Sequence, residues 1–285
     1  MDALANVNGE TMPLEAVRIS ALDRGFLFGD AIYEVLRVYG GKPWLEEGHF
    51  ERLARSLQEV RIEGINLQRL RRRMRETLRA SGLQEATIYI QVTRGSAPRS
   101  HPFPATATPL EFLFVQRFED PYREARQTGA SAITHPDQRW ERCDIKSTNL
   151  LANVLAAQAA KEAGCKEALL YLPDGTLTEG THTSLFGVKQ GRLVTAPNGP
   201  AILPGITRSL IFDLAERVGA PVLEENLSRQ ELNQISELFL SGTTSEVLPI
   251  VQVDDKVIGT GQPGEVTRRL QKAYQEEVAN FTANS

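Results

Sequence analysis

Residues 142–158 read RCDIKSTNLLANVLAAQ. Lys146 stands between a short apolar approach containing Trp140, Cys143 and Ile145 and a stretch with helical spacing. Leu150, Leu151, Val154 and Leu155 give that stretch an apolar face, and Ser147, Thr148 and Asn149 are suited to cap it. Most lysines lie on open surface among polar neighbours. One placed among apolar residues at a helix start points to chemistry.

Outward from this stretch, the chain before it mixes strands and helices. NVNGETMP reads as a hairpin turning at Asn8-Gly9, and AIYEVLRVYGGKPW as a strand that turns at Gly40-Gly41. Phe50, Leu53, Leu57 and Val60 share one helical face, and Leu67, Leu70, Met74 and Leu78 share a second. ATIYIQVTRG and LEFLFVQRF are strands. This order predicts a small domain over 1–119 with two helices on one side of a sheet. The polar, proline-bearing FEDPYREAR marks a boundary, with a linker at 120–123 and a larger domain over 124–285. There KEALLYLP reads as a strand, DGTLTEG as a turn, and ELFLSGTTSEVLPIVQV as one strand-like run before a final helix.

The chain has 285 residues, 41% hydrophobic and 24% charged, which is enough for two globular cores. A net charge of −4 argues against a dedicated nucleic-acid binder. Cys143 and Cys165 lack the density of a disulfide scaffold and the spacing of a zinc site, and read as buried reduced thiols. The first residues carry no basic start followed by an apolar run, and no apolar run approaches the roughly 20 residues of a membrane span. The expected location is the cytoplasm, without a membrane partner.

Two motifs read as structure. GTGQPG at 259–264 matches a dinucleotide fingerprint, but it follows the charged VDDKVI and leaves no room for a βαβ unit, so it is expected to be a turn into the last helix. RLRRRMRE at 69–76 is expected to be a solvated helix face, because Leu70 and Met74 claim the buried side. The four histidines show no helical metal spacing, and no G-x-S-x-G elbow is present, so no metal is expected.

ILPGITRSL is more telling. Pro204-Gly205 turns the chain, and the backbone N–H groups of Ile206 and Thr207 then open a helix where an anion would be welcome. SGTTSE at 241–246 offers further small donors, Arg52 a charge, and TLTEGT a carboxylate at Glu179. A lysine, an anion cup and an acid are together what pyridoxal phosphate demands: a covalent anchor, a phosphate site and a partner for the protonated ring nitrogen.

The segments DRGFLFGDAIYEV, RCDIKSTNLL, TEGTHTSLFG, ILPGITR and SGTTSEV together resemble the fold-type IV pyridoxal-phosphate enzymes, over nearly the whole chain. That group holds branched-chain aminotransferases, D-amino acid aminotransferases and aminodeoxychorismate lyase. The similarity is greatest to its D-amino acid branch, through QVTRGSAPRSHPFP and RWERCDIKS. The resemblance implies an α/β fold, an α+β small domain with a β-barrel-like larger one. It also implies pyridoxal 5′-phosphate as cofactor, and a homodimer with loops reaching across the subunit interface.

Residue by residue, the resemblance makes Lys146 and Glu179 catalytic. It places Arg52, Ile206, Thr207, Gly242 and Thr243 on the phosphate, and Tyr33, Arg99 and His101 on the substrate carboxylate. His182, in Thr181-His182-Thr183, stands where the D-amino acid enzymes tend to carry serine, and is expected near the substrate. The implied reaction moves an amino group from a D-amino acid to a 2-oxo acid such as 2-oxoglutarate or pyruvate. A branched-chain L-amino acid or (R)-amine aminotransferase, or a lyase-like enzyme, is the alternative on the same fold.

Overall fold

The computed structural model describes residues 3–283. Its contacts divide the chain into two units, Met1–Glu119 with Ile145–Asn149, and Asp120–Asp144 with Leu150–Ser285.

The first unit holds β1 (Ala3–Val7), β2 (Glu10–Pro13), α1 (Arg24–Phe28), β3 (Ala31–Tyr39), β4 (Lys42–Pro43), α2 (Glu46–Glu59), α3 (Leu67–Ser81), β5 (Ala86–Thr93) and β6 (Leu110–Arg117). Its antiparallel sheet runs β2-β1-β6-β5-β3-β4. The β1–β2 turn falls at Asn8-Gly9, both at positive φ as a two-residue hairpin turn requires. Phe50, Leu53 and Leu57 of α2 and Leu70, Met74 and Leu78 of α3 form one core with Ile32, Leu36, Ile88, Ile90, Leu113 and Val115 of the sheet. Strand alternation therefore sets Glu34 on the helix side, with Ile32 and Leu36, and Tyr33 on the other. There Tyr33 joins an aromatic row with Tyr89, Phe112 and Phe114. Several arginines of α3 are paired: Arg69 and Arg73 with Glu111, Arg71 with Glu47, Arg75 with Glu46.

The second unit holds α4 (Arg123–Thr128), β7 (Ala130–Pro136), α5 (Leu151–Glu162), β8 (Glu167–Tyr171), β9 (Thr176–Gly180), β10 (Ser184–Lys189), β11 (Arg192–Thr195) and α6 (Ile206–Arg217). It continues through β12 (Val222–Glu224), β13 (Leu227–Ser228), β14 (Glu237–Gly242), β15 (Glu246–Val253), β16 (Lys256–Val257) and α7 (Glu265–Ala283). A curled mixed sheet runs β12-β11-β10-β14-β15-β7-β8-β9-β13, with β16 beside β15. Leu169, Leu185, Leu240 and Ile250 are among its core residues. GTGQPG leads into α7, with Gly259 and Gly261 at positive φ. The Glu237 carboxylate accepts from Val266 N and Thr267 N at 3.0 and 2.8 Å, capping that helix. Among the described residues no helix is long and apolar enough to cross a membrane.

Five local expectations change. ELFLSGTTSEVLPIVQV is a hairpin, β14–β15, in which Gly242 faces Glu246 across a turn at 243–245. Glu179 lies on strand β9, and the turn precedes it at Asp174-Gly175. Residues 146–148 pair with β3: Tyr33 N–H donates to Lys146 O at 2.9 Å and Thr148 N–H to Ala31 O at 3.1 Å. Their backbone is thus committed to the first unit's sheet, and α5 starts later, at Leu151, without a side-chain cap. On α5 the buried residues are Ala156 and Ala160, while Leu151, Val154 and Leu155 are exposed. Cys143 and Cys165 are free but only partly buried.

Candidate active site

The sheet pairing of 146–148 fixes where Lys146 points. Its Nζ lies 4.3 Å from the centroid of the Tyr33 ring, which itself stacks on Tyr89. Lys146 N–H donates weakly to Ser56 Oγ, at 3.4 Å. The amine is thus held over an aromatic face on the side of β3 away from α2.

Across the sheet, Glu34 is 1% exposed and accepts from Arg52 through Nε at 2.7 Å and Nη2 at 2.8 Å, and from His49 Nδ1 at 2.7 Å. Arg52, expected at the phosphate, is therefore seen as half of a buried bidentate ion pair. Burial pushes the Glu34 carboxyl up, but the charge and hydrogen bonds of Arg52, with the His49 bond, outweigh it and hold Glu34 at about 2. For His49 burial dominates and lowers its pKa despite Glu34, with the charges of Arg52 and Lys146 adding to the drop. A carboxyl whose folded pKa lies below its ordinary 4.5 stabilises the fold in full above that value. The stabilisation is lost as pH falls from there through about 2. In that window the unfolding free energy of the wild type should fall more steeply with pH than that of Glu34→Gln, by up to one proton. At neutral pH the same variant should be less stable by about 3–5 kcal/mol, the usual cost of breaking a buried pair. Chemical denaturation across the window measures both, and parallel slopes would remove Glu34 from the acid response.

Arg99 and His101 lie exposed on the loop after β5. Both rest on Phe28, the Arg99 guanidinium carbon 5.2 Å from its ring centroid and the His101 ring 5.5 Å away. The loop is not extended as expected: it bends at 98–99 and again at 101–102, and the two side chains share the Phe28 ring as a neighbour. Among the described residues no hydrogen bond or ring contact joins either to Tyr33, whose ring neighbours are Tyr89 and the Lys146 amine.

In the second unit Glu179 is buried. It is paired with Arg139 Nη1, and Leu203 N–H donates to its two oxygens at 3.3 and 3.2 Å. Arg139 is shared with Asp137, through Nε at 2.9 Å and Nη2 at 2.7 Å. Burial raises the Glu179 carboxyl above its ordinary value, with Arg139 and Leu203 N–H offsetting part of the rise. No local spacing announces Arg139; only the folded sheet brings it to Glu179.

An anion cup is built from three segments of this unit. Helix α6 starts at Ile206 with no side chain capping it, which leaves first-turn N–H groups without intrahelical partners. A Cβ at Gly205 would meet Ser184 Oγ at 2.6 Å, and one at Gly242 would meet Ser245 Oγ at 2.7 Å and Thr183 Cγ2 at 3.3 Å. Ser241 Oγ and Ser245 Oγ are buried without a hydrogen-bond partner among the described residues. Buried hydroxyls are rarely left unpaired, so two at one turn beside a backbone cradle mark a polar ligand. Gly242 lies in this cradle and Thr243 follows it in the turn; the two serines belong to the SGTTSE donors read from the sequence, although the turn between them did not show there.

The loop Thr181–Thr183 beside the cup hangs on buried Glu167, which accepts from Thr181 N at 3.1 Å and Thr183 Oγ1 at 3.0 Å. His182 is half-exposed but tethered through both nitrogens, Nε2 to Tyr122 OH at 3.1 Å and Nδ1 to Thr181 Oγ1 at 2.9 Å.

The chain matches the model of the amino-transferase class IV family over residues 31–253, and it belongs to that family. It is 38% identical over 279 residues, 98% of each chain, to a D-alanine aminotransferase of Bacillus licheniformis. Its fold is similar to that of an Escherichia coli branched-chain amino acid aminotransferase, at 27% identity and a TM-score of 0.86, covering 96% of this chain and 94% of that one. It is similar also to a T.th. branched-chain amino acid aminotransferase with pyridoxamine 5′-phosphate, at 26% identity and a TM-score of 0.89, covering 98% and 95%.

Proposed function

We propose that this chain moves the amino group of a D-amino acid of the alanine type to a 2-oxo acid such as 2-oxoglutarate or pyruvate, with pyridoxal 5′-phosphate as its cofactor. The observation that carries the D-amino acid reading is that Arg99 and His101 both rest on Phe28. The pair offers a planar guanidinium and a second donor to one carboxylate. The greater identity to the D-alanine enzyme than to the branched-chain structures supports the same branch. A branched-chain, (R)-amine or lyase-like reaction on this fold would have no need of that pair.

The cofactor supplies, when bound, an aldehyde that captures amines and a ring that accepts the electron pair left as Cα loses its proton. The orphaned Ser241 and Ser245 hydroxyls, the uncapped start of α6 and the glycine cradle fit its phosphate. Ile206, Thr207, Gly242 and Thr243 would hold it by N–H and hydroxyl donors. Arg52, fixed by Glu34, adds positive charge to the phosphate contacts in this reading. Lys146 Nζ would hold the cofactor covalently and, once freed by the substrate amine, would carry the proton from the substrate Cα to the cofactor's aldehyde carbon. Glu179, braced by Arg139, keeps a carboxylate for the ring nitrogen. His182, tethered at both nitrogens, limits the substrate by its shape.

The exposed Leu151, Val154 and Leu155 occupy positions i, i+3 and i+4 of α5. This apolar row fits a homodimer in which the exposed Arg99/His101 loop reaches a neighbouring copy's substrate. Light scattering across concentration tests the dimer.

The absorbance of the cofactor-loaded protein should change with D-alanine and far less with L-alanine. Arg99→Ala should lower kcat/KM for D-alanine by roughly tenfold to a hundredfold, the effect of about 1.5–3 kcal/mol for a hydrogen bond to a charged group. Reaction with a carboxylate-free (R)-amine should fall far less. Equal losses, or a wild type that prefers L-alanine, would put the branched-chain reading first.

A further inference from the structure

Arg24 lies in DRGFLFGD, in a part of the chain that the proposed reaction does not use, and it is 3% exposed. Its guanidinium points at the backbone of the loop that carries Arg99 and His101. Nη1 donates to Ser100 O at 2.6 Å and more weakly to Pro102 O at 3.4 Å, and Nη2 donates to His101 O at 3.1 Å. Three successive carbonyls of an exposed loop thus converge on one buried cation. The same cation lies 4.8 Å from the centroid of Phe28, the ring on which both Arg99 and His101 rest.

Arg24 is itself held. Its Nε donates to Asp30 Oδ2 at 2.8 Å. Arg94 takes the rest of that carboxylate, through Nε at 2.8 Å and Nη2 at 2.9 Å. Burial would raise the Asp30 carboxyl, but Arg94 and Arg24 outweigh it and keep it below its ordinary range. Arg94 is anchored in turn to Val60 O and Arg61 O, both at 2.7 Å. It also covers the ring of Phe103, one residue past the carbonyls that Arg24 holds, at 3.6 Å. Two arginines on one aspartate therefore grip the loop from below, one by its carbonyls and one by its aromatic side chain.

We propose that Arg24 is a positioning residue for substrate recognition: it holds the backbone of 100–102 so that Arg99 and His101 present their donors to the substrate carboxylate together. This rests on the reading of Arg99 and His101 as the carboxylate contacts. Only a planar fork serves the purpose, because it spans neighbouring carbonyls while still reaching Asp30. A lysine keeps the charge beside Asp30 but cannot bridge the carbonyls.

Arg24→Lys is the informative variant, with Arg24→Ala and Arg99→Ala beside it. In the cofactor-loaded protein, Arg24→Lys should raise KM for D-alanine by roughly tenfold, the effect of one hydrogen bond to a charged group, with a smaller change in kcat. The loss toward a carboxylate-free (R)-amine should be far smaller, and cofactor affinity, read by absorbance titration, should stay close to wild type. Arg24→Ala should lose more than Arg24→Lys on D-alanine; where it does not fold, Arg24→Lys alone decides. An unchanged KM for D-alanine in Arg24→Lys, while Arg99→Ala still discriminates between the two substrates, overturns the positioning role and leaves the Arg99 reading standing. Equal losses of Arg24→Lys on both substrates overturn it as well, because a general structural defect does not distinguish a carboxylate. Failure of Arg99→Ala to discriminate overturns both.

Discussion

Lys146→Ala should bind cofactor but transaminate at least about 10⁴-fold more slowly than the wild type. That is the upper range for a positioned acid–base group, and the same nitrogen also serves as the covalent anchor. The fold should survive. The backbone bonds of residue 146, to Tyr33 N and Ser56 Oγ, do not depend on the side chain. What is lost is one cation over the Tyr33 ring, a contact that contributes about 0.5–1 kcal/mol at an exposed site. A second readout lies inside the protein. The Lys146 charge helps to hold down the pKa of buried His49, so the His49 titration should move upward in Lys146→Ala. Borohydride reduction of the loaded wild type should leave the cofactor on the peptide containing Lys146. Cofactor found on another lysine, or turnover in the alanine variant, would end the assignment.

Lys146 was legible in the sequence as a residue with a purpose, though its surroundings were not. The pairing of 146–148 with β3 joins segments more than a hundred positions apart, and no local spacing encodes such a ladder. Capping residues followed by an apolar run read as a helix start, yet Thr148 and Asn149 direct their side chains to Gly29 O. Periodicity grouped Leu151, Val154 and Leu155 correctly on one face, but it says only which residues share a face and nothing of what covers them. Glu34 did carry a signal. It falls in the buried phase of AIYEVLRV, between Ile32 and Leu36, where a carboxylate needs a partner. His49 and Arg52, next to the core residues Phe50 and Leu53 of α2, are that partner. The proposed phosphate cup was legible at Pro204-Gly205 because a turn into a helix has a fixed signature. It was half hidden at 241–245, where the strong strand formers on either side masked a turn.

Glu179→Gln tests the other end of the proposed chemistry. Its fold should hold, because Arg139 keeps a bidentate partner in Asp137, which also accepts from Thr178 Oγ1 at 2.8 Å. The glutamine oxygen can still accept from Leu203 N–H, so the side chain keeps its place. What disappears is a negative charge in a buried setting. Burial raises the Glu179 carboxyl, and the Arg139 guanidinium offsets only part of that rise, so the carboxylate is short of positive partners. A protonated ring nitrogen would complete its pairing, and a carboxylate so placed would in turn keep that proton on the ring. An amide offers a dipole instead of a charge. The difference matters most when the electron pair from Cα reaches the ring, so the loss should fall on kcat rather than KM. Removing one preorganised partner of developing charge typically costs roughly 10²–10³-fold, and that is the drop expected in kcat. Cofactor should still bind, since the phosphate cup and Lys146 are untouched, though its absorption maximum should shift as the ring nitrogen loses its proton. A kcat near the wild-type value would remove Glu179 from the mechanism. A fall confined to KM would make it a binding residue only, and the search for the ring's acid partner would have to move elsewhere in the second unit.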